Sequence, residues 1–209
     1  MPAYFSIVFE LKKSKTVMKK FYTALVNSGL NFQSGYCEFE NNSFDEIITW
    51  NQNKLDNDFV LENEKEFSYD YQQTLFNFSD FREVRLFVIT RDKSSTVEFN
   101  LIFPELEFFD AVTNENGGYT IIRKTEKMDL LKSLAKSMWE RLEILAVQTC
   151  WELSDCPPEE KDISIKVKPH IEPFCIIRKL NVAKKLGLPF ENLSNGGIFI
   201  EAEDGWYFL

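Results

Sequence analysis

Two alternating runs, Val84 to Arg91 and Thr96 to Phe103, are separated only by Asp92-Lys93-Ser94-Ser95. Both are rich in β-branched and aromatic residues, and a four-residue polar link between such runs closes an antiparallel hairpin. Pro104 ends the second run, because it has no N–H to give to a ladder. An antiparallel sheet is therefore the frame into which the rest of the chain must fit.

The flanking segments supply its partners. Tyr4 to Leu11 reads as a buried strand. Ser14 to Ser28 reads as a helix, with Val17, Phe21, Ala24, Leu25 and Ser28 at helical spacing and Gly29 to end it. Tyr36 to Glu40 is a second strand, Phe44 to Asn53 fits a short helix, and Glu66 to Tyr71 alternates as a strand does. Asn114 to Gly118 is a turn before a short strand at Tyr119 to Arg123. The strongest helical pattern runs from Glu126 to Val147, where Leu131, Leu134, Ala135, Met138, Leu142 and Leu145 form one stripe. Such a helix is roughly 33 Å long and lies across a sheet as the main core helix. Cys150 to Leu153 reads as a strand. Ser154 to Asp162, polar and holding paired prolines, reads as a linker. Strands follow at Ile163–Val167 and Glu172–Ile177, then a helix at Asn181–Leu186 stopped by Gly187. Ile198–Ala202 and Trp206–Phe208 make a closing hairpin.

The order resembles βαββαβ with insertions, which places two helices on one face of a mainly antiparallel sheet. The fold class is α+β, with residues 1–153 as the core domain and residues 154–209 as a small C-terminal α+β lobe packed on it, or as part of one single domain.

Charge narrows the function. Lys and Arg total 24 and Asp and Glu total 33, a net charge of -9. An acidic surface repels phosphate backbones, so nucleic acid is not an expected partner. No apolar stretch approaches the roughly 18–20 residues that cross a bilayer, so no membrane is expected. The acids concentrate: Glu38, Glu40, Asp45, Glu46, Asp56, Asp58, Glu62, Glu64, Glu66 and Asp70 face only Lys54 and Lys65 between positions 38 and 70, a local charge of -8. That stretch is either a solvated face or a docking surface for a basic partner. The candidate partner-binding residues are Asp45, Glu46, Asp56, Asp58, Glu62, Glu64 and Glu66. The start of the chain lacks the basic region of a signal peptide, and with Cys37, Cys150, Cys156 and Cys175 read as reduced thiols the expected location is cytoplasmic.

Familiar catalytic patterns are missing. His170 is the sole histidine, and no G-x-S-x-G elbow accompanies it. The soft ligands Cys150, Cys156, His170 and Cys175 lack the close C-x2-C step of a zinc site. Neither G-x-x-x-x-G-K-[ST] nor G-x-G-x-x-G occurs, so no nucleotide loop is expected. Glu201, Glu203 and Asp204 at the closing turn, and Glu105, Glu107 and Asp110 after the hairpin, are carboxylate groups that spacing permits as Mg²⁺ ligands or as an acid and base. Solvated surface carboxylates are the plainer reading of both. No cofactor and no metal is expected.

In size, acidity, Phe/Asn/Glu/Lys richness, α+β pattern and missing catalytic motifs, the chain resembles the small acidic immunity proteins of bacterial polymorphic toxin systems. The resemblance spans the whole chain, and no residue role is carried over by it. It implies direct binding and blockade of a cognate toxin. The expected function is thus a non-enzymatic binding protein that neutralises a basic protein partner. A carboxylate-dependent, metal-assisted hydrolase and a structural or regulatory interaction protein are the alternatives.

Overall fold

The computed structural model describes residues 3–57, 71–114, 117–152 and 155–202. Its elements, in chain order, are β1 (Tyr4–Lys12), α1 (Val17–Asn27), β2 (Asn31–Gly35), α2 (Phe44–Asp56), β3 (Thr74–Phe78), β4 (Phe81–Ile89), β5 (Thr96–Pro104), β6 (Phe109–Thr113), β7 (Tyr119–Arg123), α3 (Thr125–Arg141), β8 (Ile144–Trp151), β9 (Phe174–Ile177), α4 (Leu180–Leu186), β10 (Phe190–Asn192) and β11 (Ile198–Glu201). The fold is α+β. Nine strands form one antiparallel sheet in the order β10-β11-β9-β8-β1-β5-β4-β3-β2, and β6 and β7 form a second, two-stranded sheet.

β1 lies in the middle because its sequence suits burial on both faces. It pairs with β5 over its whole length, from Tyr4 opposite Pro104 to Lys12 opposite Thr96. On its other side it pairs with β8, from Phe5 opposite Trp151 to Leu11 opposite Ile144. Phe5, Ile7, Phe9 and Leu11 point to one face, where they join Phe99, Leu101 and Phe103 of β5 in the main core. That face carries α1 and α3, the two helices expected there, with α2 beside them through Ile47, Ile48 and Leu55. Phe21 of α1 stacks on Phe99, ring centroids 3.8 Å apart. A second apolar cluster on the opposite face seats α4: Val182 and Ala183 meet Ala146, Cys175, Ile177, Ile198 and Ile200.

A buried polar network fixes α2. Asn51 donates from Nδ2 to the Tyr22 hydroxyl at 3.2 Å and to the Gln72 carbonyl at 2.9 Å, and its Oδ1 accepts from the Gln72 N–H at 2.8 Å. Tyr22 also meets Thr74 Oγ1 at 3.2 Å, and burial pushes its phenol pKa up to about 12. Each side chain of this network thus finds a partner, which is the condition for burying it without a large penalty.

Several elements differ from the sequence reading, each for a physical reason. The strand expected at Tyr36–Glu40 is instead β2, five residues earlier, followed by a 3-10 turn over Cys37–Phe39. Gly35 permits the turn: a Cβ there would lie 2.0 Å from the Phe39 carbonyl oxygen. The long helix ends at Arg141, not Val147, because Leu142 is already extended and Ile144–Trp151 is needed as the second neighbour of β1. Leu145 is therefore a strand residue. Ile163–Val167 is a turn, in which Ser164 Oγ accepts from Val167 N–H at 3.1 Å. β6 was not expected; it pairs with β7 across the expected Asn114–Gly118 turn. β11 pairs with β10 through Ile198 opposite Asn192. The expected strands at Glu66–Tyr71 and Trp206–Phe208 fall wholly or almost wholly outside the described residues. The segment expected as a C-terminal lobe contributes β9, β11 and β10 to the same nine-stranded sheet.

The core generates two expectations. Leu131 of α3 is fully buried, so Leu131→Ala costs about 2–5 kcal/mol in urea unfolding. Gly197 is a sharper test: a Cβ there would lie 2.3 Å from Nε1 of Trp139, whose ring is fully buried and cannot swing away. Gly197→Ala is expected to cost about 1–3 kcal/mol through overpacking and to shift the Trp139 fluorescence maximum.

Candidate interaction surface

α2 begins where the sequence supplies a capping box. Ser43 Oγ accepts from the Glu46 N–H at 3.3 Å, and the Glu46 carboxylate accepts from the Ser43 N–H at 2.7 Å. The Ser43 hydroxyl, which also donates to the Glu46 carboxylate at 2.7 Å, and then the Ser43 N–H hold that carboxyl below the usual carboxylate range. Glu46 is thus explained by the helix start, and Asp45 beside it is favoured by the helix dipole. Asp56 is different. It sits in the last turn, where a negative charge opposes the dipole. It accepts from Gln52 Nε2 at 2.9 Å. That i,i+4 bond offsets part of the unfavourable dipole interaction.

Asp45 and Asp56 are eleven residues apart, about 17 Å along the axis and nearly on one angular line. Both are exposed, as are Glu38 and Glu40 in the preceding turn. Trp50, one turn beyond Glu46, is 40% exposed, with the Lys54 ammonium 5.8 Å from its ring centroid. At 100° per residue Trp50 lies about 140° round the helix from Asp45, so the indole and the Asp45–Asp56 line occupy opposite flanks of the outer surface, an aromatic anchor with charge at its rim. Three of the seven candidate residues, Asp45, Glu46 and Asp56, therefore share α2. Asp58, Glu62, Glu64 and Glu66 lie outside the described residues, as do Glu203 and Asp204.

The remaining carboxylate candidates do not converge. Glu201 pairs with Lys132 at 2.5 Å, Glu107 with Lys127 at 2.9 Å and Asp110 with Lys124 at 2.7 Å. Among the described residues no group of three or more His, Cys, Asp or Glu is placed to hold a metal ion. Burial first, and then the Glu172 charge, push the Cys150 thiol pKa up to about 12, and burial raises that of Cys175 as well. A thiol so placed is not a ready nucleophile.

The sequence reading missed a buried carboxylate pair on the sheet face opposite the main core. Glu10 of β1 and Glu98 of β5 are direct cross-strand neighbours. Arg91 pairs with Glu98 at 2.8 Å and donates to the Pro157 carbonyl at 2.7 Å. Glu10 accepts from the Glu160 N–H at 2.6 Å, and Glu159 accepts from Ser94 Oγ at 3.0 Å. Gln148 donates to the Pro158 carbonyl at 2.7 Å. The segment read as a linker is therefore tied across the sheet by acids that interrupt two apolar strands. That interruption is the signal by which the pair could have been found. Desolvation raises Glu98 to about 7, helped by the charges of Glu10 and Glu159 and opposed by Arg91. Glu10 is also raised, chiefly by burial.

A pH dependence follows. The folded protein holds the Glu98 proton more tightly than the unfolded chain does, so this stabilisation is complete below about pH 4.5 and is lost as pH rises through about 7. Glu98→Gln keeps the neutral form at every pH. Urea unfolding between these values should show the variant gaining stability relative to wild type as pH rises. A pH-independent difference would contradict the assignment.

No family model and no curated protein matches the chain. Among solved structures it is similar to the Pseudomonas aeruginosa T6SS protein PA0821, at 10% sequence identity and a TM-score of 0.43, over 95% of this chain and 68% of that one.

Proposed function

We propose that this chain is a non-enzymatic binding protein that docks and neutralises a basic protein partner, as an immunity protein does its toxin. The observation that carries this reading is the exposed Trp50 on a helix whose outer surface bears Asp45 and Asp56. Asp56 is exposed and placed against the helix dipole, offset by the bond it accepts from Gln52. The acids steer a basic partner toward the surface, and Trp50 supplies desolvated contact once it arrives. The concentration of charge between positions 38 and 70 supports the same reading, because that segment alone carries -8 of a net -9. Cytoplasmic action is part of the proposal; no helix of the described residues is long and apolar enough to cross a membrane.

The test begins with a partner captured from the source cell. Reversing Asp45 and Asp56 to lysine is expected to slow association about tenfold, with a smaller effect on dissociation, and to flatten its dependence on salt. Trp50→Ala is expected to act on dissociation instead, at a cost of about 2 kcal/mol or more in affinity. Glu46 is left intact because it caps the helix. Association rates that ignore both salt and the two reversals would remove the basis of the reading.

A further inference from the structure

Residues 156–160 run back over the sheet face opposite the main core, and their contacts fix their register on it. Along that face Ala146, Gln148 and Cys150 of β8 lie opposite Glu10, Val8 and Ser6 of β1, one row after another. The Glu160 N–H donates to Glu10, in the row of Ala146. The Pro158 carbonyl accepts from Gln148, one row further along. Between these points the Pro157 carbonyl is held by Arg91. Two residues of the segment thus advance one row. Cys156 and Pro157 each precede a proline, which keeps both extended. At about 3.1 Å per residue such a stretch covers nearly the 6.4–6.8 Å that separates rows on a strand, roughly one row for two residues. One more step of two residues brings Cys156 to the row of Cys150.

The electrostatics of Cys150 place the pair in the same way. After burial and the Glu172 charge, the next cause that raises its thiol pKa is the charge of Cys156, so the two sulfurs feel each other. The Ser6 hydroxyl, directly opposite on β1, supports the Cys150 thiolate with a hydrogen bond. Access differs sharply. Both thiols are free, but Cys156 is exposed and Cys150 is buried. A reagent in solvent meets Cys156 first.

We propose that Cys150 and Cys156 form a dithiol site, which a small-molecule disulfide of the glutathione class converts reversibly to an intrachain disulfide. The Cys156 thiolate attacks one sulfur of the reagent, whose S–S bond breaks and releases one thiol; a mixed disulfide remains on Cys156. Cys156 then carries no charge, so one cause that held the Cys150 proton is gone. Cys150 loses that proton and attacks Sγ of Cys156, and the second reagent thiol leaves. Each leaving thiolate takes up the proton that its attacker gave to solvent. Two protein thiols lose two electrons, and the reagent disulfide gains them as two thiols. The new bond ties the segment that covers Glu10 and Glu98 to β8 by a link that neither carboxylate's protonation can loosen.

The test uses the full chain with Cys37→Ser, which removes the other exposed thiol, in graded ratios of reduced to oxidised glutathione. Both cysteines fall in the tryptic peptide 142–161. Closure leaves that peptide two hydrogens lighter and closed to alkylation, while an unresolved mixed disulfide adds one glutathionyl group. A fold that holds two thiols in bonding position favours the bond, so the oxidation constant is expected to be at least about tenfold larger in the folded chain than in urea. The thermal midpoint of the oxidised form is expected to rise by roughly 5 °C, and reduced glutathione should reverse the shift. Cys150→Ala should stop at the glutathionyl adduct. Cys156→Ser should leave Cys150 unmodified while folded. A constant no larger in the folded chain than in urea overturns the proposal. So does a lasting adduct on Cys156 of the Cys37→Ser chain with Cys150 still free to alkylate. Uptake of glutathione by Cys156→Ser as fast as by the parent chain overturns the order of attack.

Discussion

The arrangement turns on the double pairing of β1. Its odd positions are Phe5, Ile7, Phe9 and Leu11, and its even positions include Glu10, so one strand seeds an aromatic core on one face and a polar seam on the other. Because β5 and β8 both align on it, the residues opposite Glu10 are Glu98 and Ala146. The first creates a like-charge pair that must be relieved. The second leaves room for the cluster that seats α4. Relief comes from Arg91 and from the backbone of Pro157–Glu160, and the position of that segment follows from it. The layer of chain on the second face is thus a response to charge, while the layer on the first is a response to apolar area.

Much of this was legible where local chemistry and tertiary demand agree. The β4–β5 hairpin, α1 ending at Gly29, and α4 ending at the left-handed Gly187 all follow from turn residues and periodicity. Legibility failed where one pattern served two structures. Leu142 to Val147 continues the helical stripe of α3 and also reads as an apolar strand; the choice was made by β1, which needs β8 as its second neighbour. No local rule carries that information. The turn after β2 was hidden for a different reason. It depends on a close approach between Gly35 and Phe39, which the sequence marks only with a glycine.

The candidate surface shows the same division. Acidity between positions 38 and 70 is plain in the sequence, but not which acids are committed within the molecule. Ser43-x-x-Glu46 carries a recognisable capping signature, and the structure confirms that Glu46 is occupied with it. Asp56 carries no cap signature; its local partner, Gln52 one turn back, shows only in the structure. Trp50 was one aromatic among many until burial separated it from the core.

The strand order has a consequence for how the chain reaches this state. β1 precedes both its partners, which begin at Thr96 and Ile144, so one of its edges waits for residues 96–104 and the other for residues 144–151. Contacts of such long separation make folding slow, because the loops must close before pairing rewards them. During that interval an apolar strand with two open edges is a target for mispairing with other chains. Glu10, an unfavourable residue in a buried strand, is also a charge that keeps that early strand from aggregating. The acid that strains the finished sheet thereby protects its unfinished form.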